Sequence, residues 1–170
     1  MERFVADRML GKLAKWLRVL GYDTVYLKRA EEAEIAARIQ EGRILLTRDR
    51  RAEPWQEQGK VFVIHANAPE DQLREVVERL GLSGVEEEAL FSRCLRCNRP
   101  LRPVSREEVR DRVPEYIWQT NRAFCRCDAC GRIYWPGSHW ENMRERVREI
   151  LARPEQGKDA GPEEQVFTEK

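Results

Sequence analysis

The feature that most constrains the fold is the short apolar run Ile44-Leu45-Leu46, which ends abruptly in charged residues. Because the run has no polar position, both of its faces should be buried, as in a central strand of a parallel sheet. Gly42, just before it, is a typical end of a helix. A helix followed by a buried strand indicates an α/β sheet, and such sheets bind ligands at the carboxyl ends of their strands. Asp49 stands just past this strand end.

Strands and helices alternate through the first part of the chain. Leucines recur at helical spacing between positions 10 and 20, and Ile35, Ala36 and Ile39 should form the inward face of a second helix. This alternation is typical of βαβ units and a parallel sheet flanked by helices. A polar, acidic stretch after Gly81 predicts a boundary, so residues 1–82 form the first domain. The predicted strands are 3–6, 24–27, 44–46 and 61–64, and the predicted helices are 8–20, 31–41 and 69–80.

The cysteines indicate a metal centre in the second half of the chain. Asn98 and Gly131, which tolerate a left-handed backbone, each follow the second cysteine of a C-x-x-C pair. Four thiolates form a closed tetrahedral site, which is typical of structural zinc. Disulfides are disfavoured in a chain without an export signal, and an iron–sulfur cluster is a weaker alternative. Cys125 is then a buried or free thiol. The predicted zinc ligands are Cys94, Cys97, Cys127 and Cys130.

Residues 90–153 should form a zinc-ribbon domain that ends in a helix. Ser105 with Glu108 and Ser138 with Glu141 have the spacing of capping boxes at two helix starts. Trp135 is the best candidate for an exposed aromatic side chain that stacks on bases. The polar segment 154–170 should be disordered. The last helix should bury Trp140, Met143, Val147, Ile150 and Leu151.

Acidic residues follow the predicted strands where a parallel sheet would bring them together. Asp7 follows the first strand, Asp49 follows the third, and one of the glutamates that open the second helix follows the second strand. A cluster of carboxylates in a sheet crevice holds Mg²⁺ or Mn²⁺, which activates water and neutralises a scissile phosphate. His65 and Asn67 follow the fourth strand and could line the same crevice. The candidate glutamates are Glu31, Glu32 and Glu34.

Other classes of protein fit the sequence less well. No Ser/His/Asp or Cys/His set is visible, and neither a G-x-G-x-x-G nor a Walker motif is present, which argues against a nucleotide cofactor. No apolar run approaches the roughly 20 residues needed to span a bilayer. The first apolar stretch is interrupted by charges, unlike a signal peptide. We therefore expect a cytoplasmic protein without membrane contact.

The sequence motifs resemble those of a known family, the mut-seven C-terminal RNase domain family of PIN-like ribonucleases. The resemblance covers about residues 3–150. The ribbon cysteines fit it together with segments 134–135 and 137–140. The segments of the first domain that carry it are Phe4-Val5-Ala6-Asp7, Met9-Leu10-Gly11-Lys12-Leu13-Ala14, Trp16-Leu17-Arg18, Leu20-Gly21-Tyr22-Asp23 and Leu46-Thr47-Arg48-Asp49-Arg50.

This resemblance implies a PIN-like α/β nuclease core that carries a zinc ribbon, and metal-dependent RNA cleavage at Asp7 and Asp49. The second acid of the site would be Glu32 or Glu34. Asp23 is a possible fourth acid, although its place before the second strand puts it at the wrong edge.

We therefore expect a metal-dependent ribonuclease, in which Lys12, Arg48 and Arg50 receive the RNA backbone. The first alternative is a non-catalytic RNA-binding module, associated with ribosomes or tRNA, that binds RNA in a salt-dependent way without turnover. The second is a protein-interaction module whose acids form only a solvated surface. The formal net charge of +1 is compatible with either alternative.

Overall fold

The computed structural model describes residues 1–29, 31–82 and 85–152. Four parallel strands form a sheet in the order β2-β1-β3-β4, as the alternation of strands and helices predicted. The predicted disordered segment, 154–170, lies outside the described residues. The elements of this part are β1 (Arg3–Ala6), α1 (Gly11–Val19), β2 (Asp23–Tyr26), α2 (Glu32–Gln40), β3 (Ile44–Thr47), β4 (Val61–Val63) and α3 (Pro69–Leu80).

The central strand β3 is buried on both faces, which confirms the prediction from its apolar run. Leu46 belongs to the large core on one face of the sheet, which also contains residues of α1 and α3. Leu45 belongs to a smaller cluster on the other face, against which α2 packs through Ile35 and Ile39. No residue of α2 is fully buried, and Ala36 is exposed, so its predicted inward position was wrong. A thin cluster needs only a narrow apolar stripe from this helix.

Two local features differ from the predicted elements. Helix α1 begins at Gly11 rather than at residue 8, because the Asp7 carboxylate accepts the Met9 N–H and holds the chain in a turn. A 3-10 helix, Arg50–Gln58, follows β3 where no element was predicted. It contains Pro54, and its charged sequence has no periodic apolar residues that would indicate a helix.

The second part of the chain contains a small antiparallel sheet in the order β5-β6-β7. The capping box of Ser105 and Glu108 is present at the start of α4. The box predicted at Ser138 and Glu141 is wrong, because the helix is preceded by Gly137 and Ser138 already lies in its first turn. The elements are β5 (Arg102–Val104), α4 (Arg106–Val109), α5 (Glu115–Thr120), β6 (Phe124–Arg126), β7 (Ile133–Tyr134) and α6 (Ser138–Leu151).

Helix α6 packs on the first part of the chain. Val147 and Ile150 are buried in the same core as the leucines of α1 and α3. The other apolar residues predicted for this helix, Trp140, Met143 and Leu151, are only half-buried. Trp135, the predicted exposed aromatic, is half-buried too, because it lines a groove between β7 and α6.

Candidate active site and metal centre

The strand order creates a crevice between β1 and β3 at the carboxyl edge of the sheet. The chain runs from β1 outward to β2 and then crosses to β3 on the other side of β1. Ligands of open α/β sheets bind at such a switch point. Asp7 directly follows β1, and Asp49 lies two residues beyond the end of β3. Both predicted aspartates therefore flank this crevice.

The Asp7 carboxylate is fixed by three donors of the protein. Its Oδ1 accepts the Met9 N–H at 2.9 Å, and its Oδ2 accepts the Thr47 hydroxyl at 2.5 Å and the Arg48 N–H at 3.2 Å. The residue is only 7% exposed. A carboxylate offers about four lone-pair sites, so three donors leave about one position for a further partner.

Thr47 joins the two aspartates, and the sequence analysis did not select it. Its hydroxyl donates to Asp7 and accepts the Asp49 N–H at 3.0 Å. The side chain is almost completely buried. A single Thr at the end of an apolar strand gave no signal beyond its position directly before the charged residues.

Asp49 is exposed and holds an arginine. Its carboxylate accepts the Arg51 N–H and caps the 3-10 helix. The Arg51 guanidinium binds both carboxylate oxygens, with Nη2 at 2.6 Å from Oδ2 and Nε at 3.0 Å from each oxygen. Hydrogen bonds from the Arg51 side chain, and then from its backbone, hold the pKa of Asp49 below its usual range. The carboxylate is therefore ionised, but Arg51 is its present counter-charge.

The two candidate glutamates differ in their surroundings, although both are exposed. Glu32 contributes to the raised pKa of Arg51, after the larger hydrogen-bond and charge effects of Asp49, so Glu32 faces the crevice. Glu34 pairs instead with Arg38 on the same helix at 3.6 Å. This contrast favours Glu32 as the second acid.

The acids share one edge but do not form a tight cluster. Among residues 1–29, 31–82 and 85–152, one group of three or more Cys, His, Asp or Glu has ligand atoms that all lie within 4.8 Å of one another. That group is the four cysteines of the ribbon.

The predicted basic residues border the same edge. Lys12 lies in the first turn of α1 and is exposed, as is Arg50. Arg48 donates from Nη2 to Oδ1 of Asn67 at 2.7 Å, which ties the end of β3 to the segment after β4. Arg51, which was not selected from the sequence, has the closest contact with a candidate acid.

His65 follows β4 and links two elements. Its Nδ1 lies 3.2 Å from Oε1 of Glu75 on α3, and its Nε2 lies 3.2 Å from Oε1 of Glu53 in the 3-10 helix. Glu75 also accepts the backbone N–H groups of His65 and Ala66. Both ring nitrogens are thus occupied by carboxylates, and this histidine holds together the elements that border the crevice.

The four predicted cysteines converge on one point. The Sγ atom of Cys94 lies 3.4 Å from that of Cys97 and 3.7 Å from that of Cys130, and the Sγ atoms of Cys97 and Cys127 are 3.6 Å apart. A tetrahedral ion with Zn–S bonds of about 2.3 Å would separate its sulfurs by about 3.8 Å. All five cysteines are free thiols rather than disulfides, and Cys125 stands outside the group.

The backbone around the thiols repeats in both C-x-x-C pairs. Asn98 and Gly131 have φ angles of 65° and 70°, as their positions predicted. Their N–H groups donate to the carbonyls of Cys94 and Cys127 at 2.9 and 2.7 Å. Although burial raises the pKa of the Cys94 thiol, hydrogen bonds from Tyr134 and from backbone N–H groups lower it to about 6. The site favours thiolate, the form that binds zinc.

The first cysteine pair also contacts the amino-terminal edge of the large sheet. Arg18 donates to the carbonyls of Leu95 and Arg96 at 2.8 and 3.2 Å. Asn98 donates to Asp23 and accepts the Thr24 N–H. Asp23 therefore lies at the edge away from the crevice, where it joins the metal centre to the sheet.

Comparison with protein families identifies the chain. The family model described as the Mut7-C RNAse domain matches residues 2–147. The chain belongs to this family. The match confirms the resemblance seen in the sequence motifs, and its description indicates a nuclease-like role with RNA as substrate or partner. No curated protein and no solved structure matches the chain. Within the part of the chain that the structure describes, no helix has the length and apolar character to cross a membrane.

Proposed function

We propose that this member of the Mut7-C RNAse domain family is a metal-dependent ribonuclease with a PIN-like core. It hydrolyses RNA phosphodiester bonds in the crevice between β1 and β3. The observation that carries the proposal is the placement of Asp7 and Asp49 at the switch point of the sheet, connected through the Thr47 hydroxyl. A functional site explains the burial of a carboxylate at a strand end better than a structural role does.

Asp7, Asp49 and Glu32 would hold Mg²⁺ or Mn²⁺, and Glu34 is the weaker candidate for the third position. Oxygen ligands suit both ions, and the free lone-pair position on Asp7 fits a bond to one. When bound, the ion would activate water and neutralise charge on the scissile phosphate.

The protein groups around these acids have distinct roles. The donors to Asp7 fix its oxygens before substrate arrives, so little reorganisation is needed on binding. Lys12, Arg48 and Arg50 place positive charge along the crevice for the RNA backbone. The ribbon cysteines hold structural zinc, because a closed set of four thiolates leaves no open position for catalysis.

The decisive variant is Asp49→Asn. Asn caps helices about as well as Asp, so the 3-10 helix should stay intact, while the charge needed to hold the ion is lost. Purified Asp49→Asn should keep its fold and zinc but lose RNA cleavage with added Mn²⁺ or Mg²⁺. Asp111→Asn, at an exposed site in the second part of the chain, is the matched control and should cleave like the wild type.

One observation favours a second candidate, the non-catalytic RNA-binding module. Arg51 occupies both oxygens of Asp49, which would have to exchange this partner for an ion. A binding module would show salt-dependent RNA affinity and no turnover with any divalent ion. Full activity of Asp49→Asn would refute the assigned site, and binding without cleavage by the wild type would establish the second candidate.

A further inference from the structure

A cavity of about 520 Å³ lies between the first turns of three helices. Its volume falls within the range of roughly 300–1,000 Å³ that is typical of ligand sites. Helix α1 contributes Lys12, Lys15 and Trp16, α3 contributes its first residues, and α6 contributes His139 and Met143. The carboxyl-terminal helix is therefore part of the cavity wall.

The charges of this cavity leave two lysines available. Its acidic residues are both paired, Glu70 with Arg146 at 3.1 Å and Asp71 with Arg74 at 2.8 Å. Lys12 and Lys15 are exposed, and neither forms an ion pair or a side-chain hydrogen bond with the residues that the structure describes. The α1, α3 and α6 helices also lack a side-chain cap at their amino termini. Their dipoles add positive potential to that of the lysines.

An apolar platform lies beside this positive charge. Trp16, Pro69 and Met143 line the cavity, and all three are half-buried, so part of each remains accessible. Aromatic side chains next to cationic groups bind single-stranded nucleic acid, because bases stack on the ring while the phosphates meet the charges. A purely apolar ligand would not explain two lysines without partners at the cavity mouth.

The cavity also borders the edge that holds the candidate acids. The Leu10 N–H, at the entry to α1, donates to the Asp7 carbonyl at 3.1 Å, and Lys12 follows in the first turn. Helix α3 begins six residues after the end of β4, at the same carboxyl edge of the sheet.

We propose that this cavity binds an unpaired nucleotide of the RNA strand next to the bond that is cleaved. The base stacks on Trp16, and the adjoining phosphates meet Lys12 and Lys15. The inference rests on the proposed function for the direction of the strand toward Asp7. It extends that function by placing a substrate subsite between α1 and α6.

The test measures RNA binding separately from cleavage, with full-length, zinc-loaded protein. A fluorescein-labelled single-stranded oligoribonucleotide is titrated at low salt into the Asp49→Asn protein, alone and with Lys15→Gln added. Lys15→Gln should weaken binding about tenfold and reduce the salt dependence by about one ion. Lys60→Gln, an exposed lysine at the opposite edge of the sheet, is the control and should change the affinity less than twofold.

Two further readouts separate binding from a structural effect. In a protein with Asp49 intact, Lys15→Gln should raise KM and leave kcat within twofold. Photocrosslinking of a 4-thiouridine oligonucleotide should label the peptide that contains Trp16, and Trp16→Phe, which keeps most of the packing, should reduce that label.

The outcomes distinguish this inference from the proposed function. Equal effects of Lys15→Gln and Lys60→Gln, together with crosslinks elsewhere, would overturn the subsite even if the wild type cleaves RNA. A selective loss of affinity in Lys15→Gln without cleavage by any variant would support the subsite and refute the nuclease.

Discussion

At the scale of single residues, the Thr47 hydroxyl determines the geometry of the candidate site. Thr47→Val keeps the shape of the side chain but removes the donor to Asp7 and the acceptor of the Asp49 N–H. A buried carboxylate that loses one donor should destabilise the fold by about 1–3 kcal/mol. RNA cleavage should fall as well, because Asp7 is no longer fixed. Denaturant unfolding and cleavage assays measure the two effects.

The control for this prediction is Thr47→Ser, which keeps the hydroxyl and loses only a methyl group. It should recover most of the stability and most of the cleavage. If Thr47→Val and Thr47→Ser behaved alike, packing of the side chain, rather than its hydrogen bonds, would account for its burial.

A second prediction at this scale concerns the metal centre. Cys97→Ser removes one of the four converging thiolates and should lower bound zinc well below about one ion per chain. Thermal stability should fall with it, because zinc binding contributes directly to folding of such sites. Cys125→Ser, in β6 and outside the group, should keep the full zinc content. Zinc released on denaturation measures both variants, and equal losses would contradict the assignment of ligands.

At the scale of elements, Gly21 determines how the segment before the ribbon packs on the sheet. Its φ angle is +87°, and a Cβ atom here would overlap the carbonyl oxygen of Ala89. Gly21→Ala should therefore destabilise the protein by about 3 kcal/mol or more, from backbone strain and steric overlap together. Gly59 has a similar φ angle of +68° but no atom within 4 Å of a built Cβ.

Gly59→Ala is the matched control, because it tests the strain without the overlap. It should cost about 1 kcal/mol. The difference between the two variants in urea unfolding measures the contact between residue 21 and Ala89. A difference near zero would mean that the segment moves away from the sheet without cost.

The elements that could be predicted are those whose signal is local. The apolar run of β3 and the glycines that end helices determined most strands and helices, because burial and left-handed turns depend on a few adjacent residues. The 3-10 helix 50–58 has no such pattern. The start of α1 depended on a hydrogen bond from Met9 to the Asp7 side chain, which the periodicity of the helix cannot indicate.

The candidate site was predictable to the same extent. Asp7 and Asp49 were found because they follow strands, and the four cysteines because of their spacing. The choice between Glu32 and Glu34 was open, because the sequence does not fix the rotation of a helix about its axis. The ion pair of Arg51 with Asp49 and the position of Asp23 depend on side-chain directions and on contacts between distant parts of the chain.

At the scale of the whole molecule, α6 connects the ribbon to the sheet. It follows the second cysteine pair in sequence, yet Val147 and Ile150 lie in the same core as the leucines of α1 and α3. The stability of the large sheet should therefore depend on residues that the sequence assigned to the second domain.

Ile150→Ala tests this dependence. The side chain is 5% exposed, and its truncation should leave a cavity that costs roughly 2–5 kcal/mol. Glu149→Ala, the exposed neighbour on the same helix, is the control and should change stability by less than about 0.5 kcal/mol. Hydrogen exchange identifies where the loss is felt: amides of α1 and α3 should exchange faster in Ile150→Ala. If faster exchange were confined to α6 and the ribbon, the helix would be an appendage, and the cavity that it shares with α1 would not be a fixed part of the site.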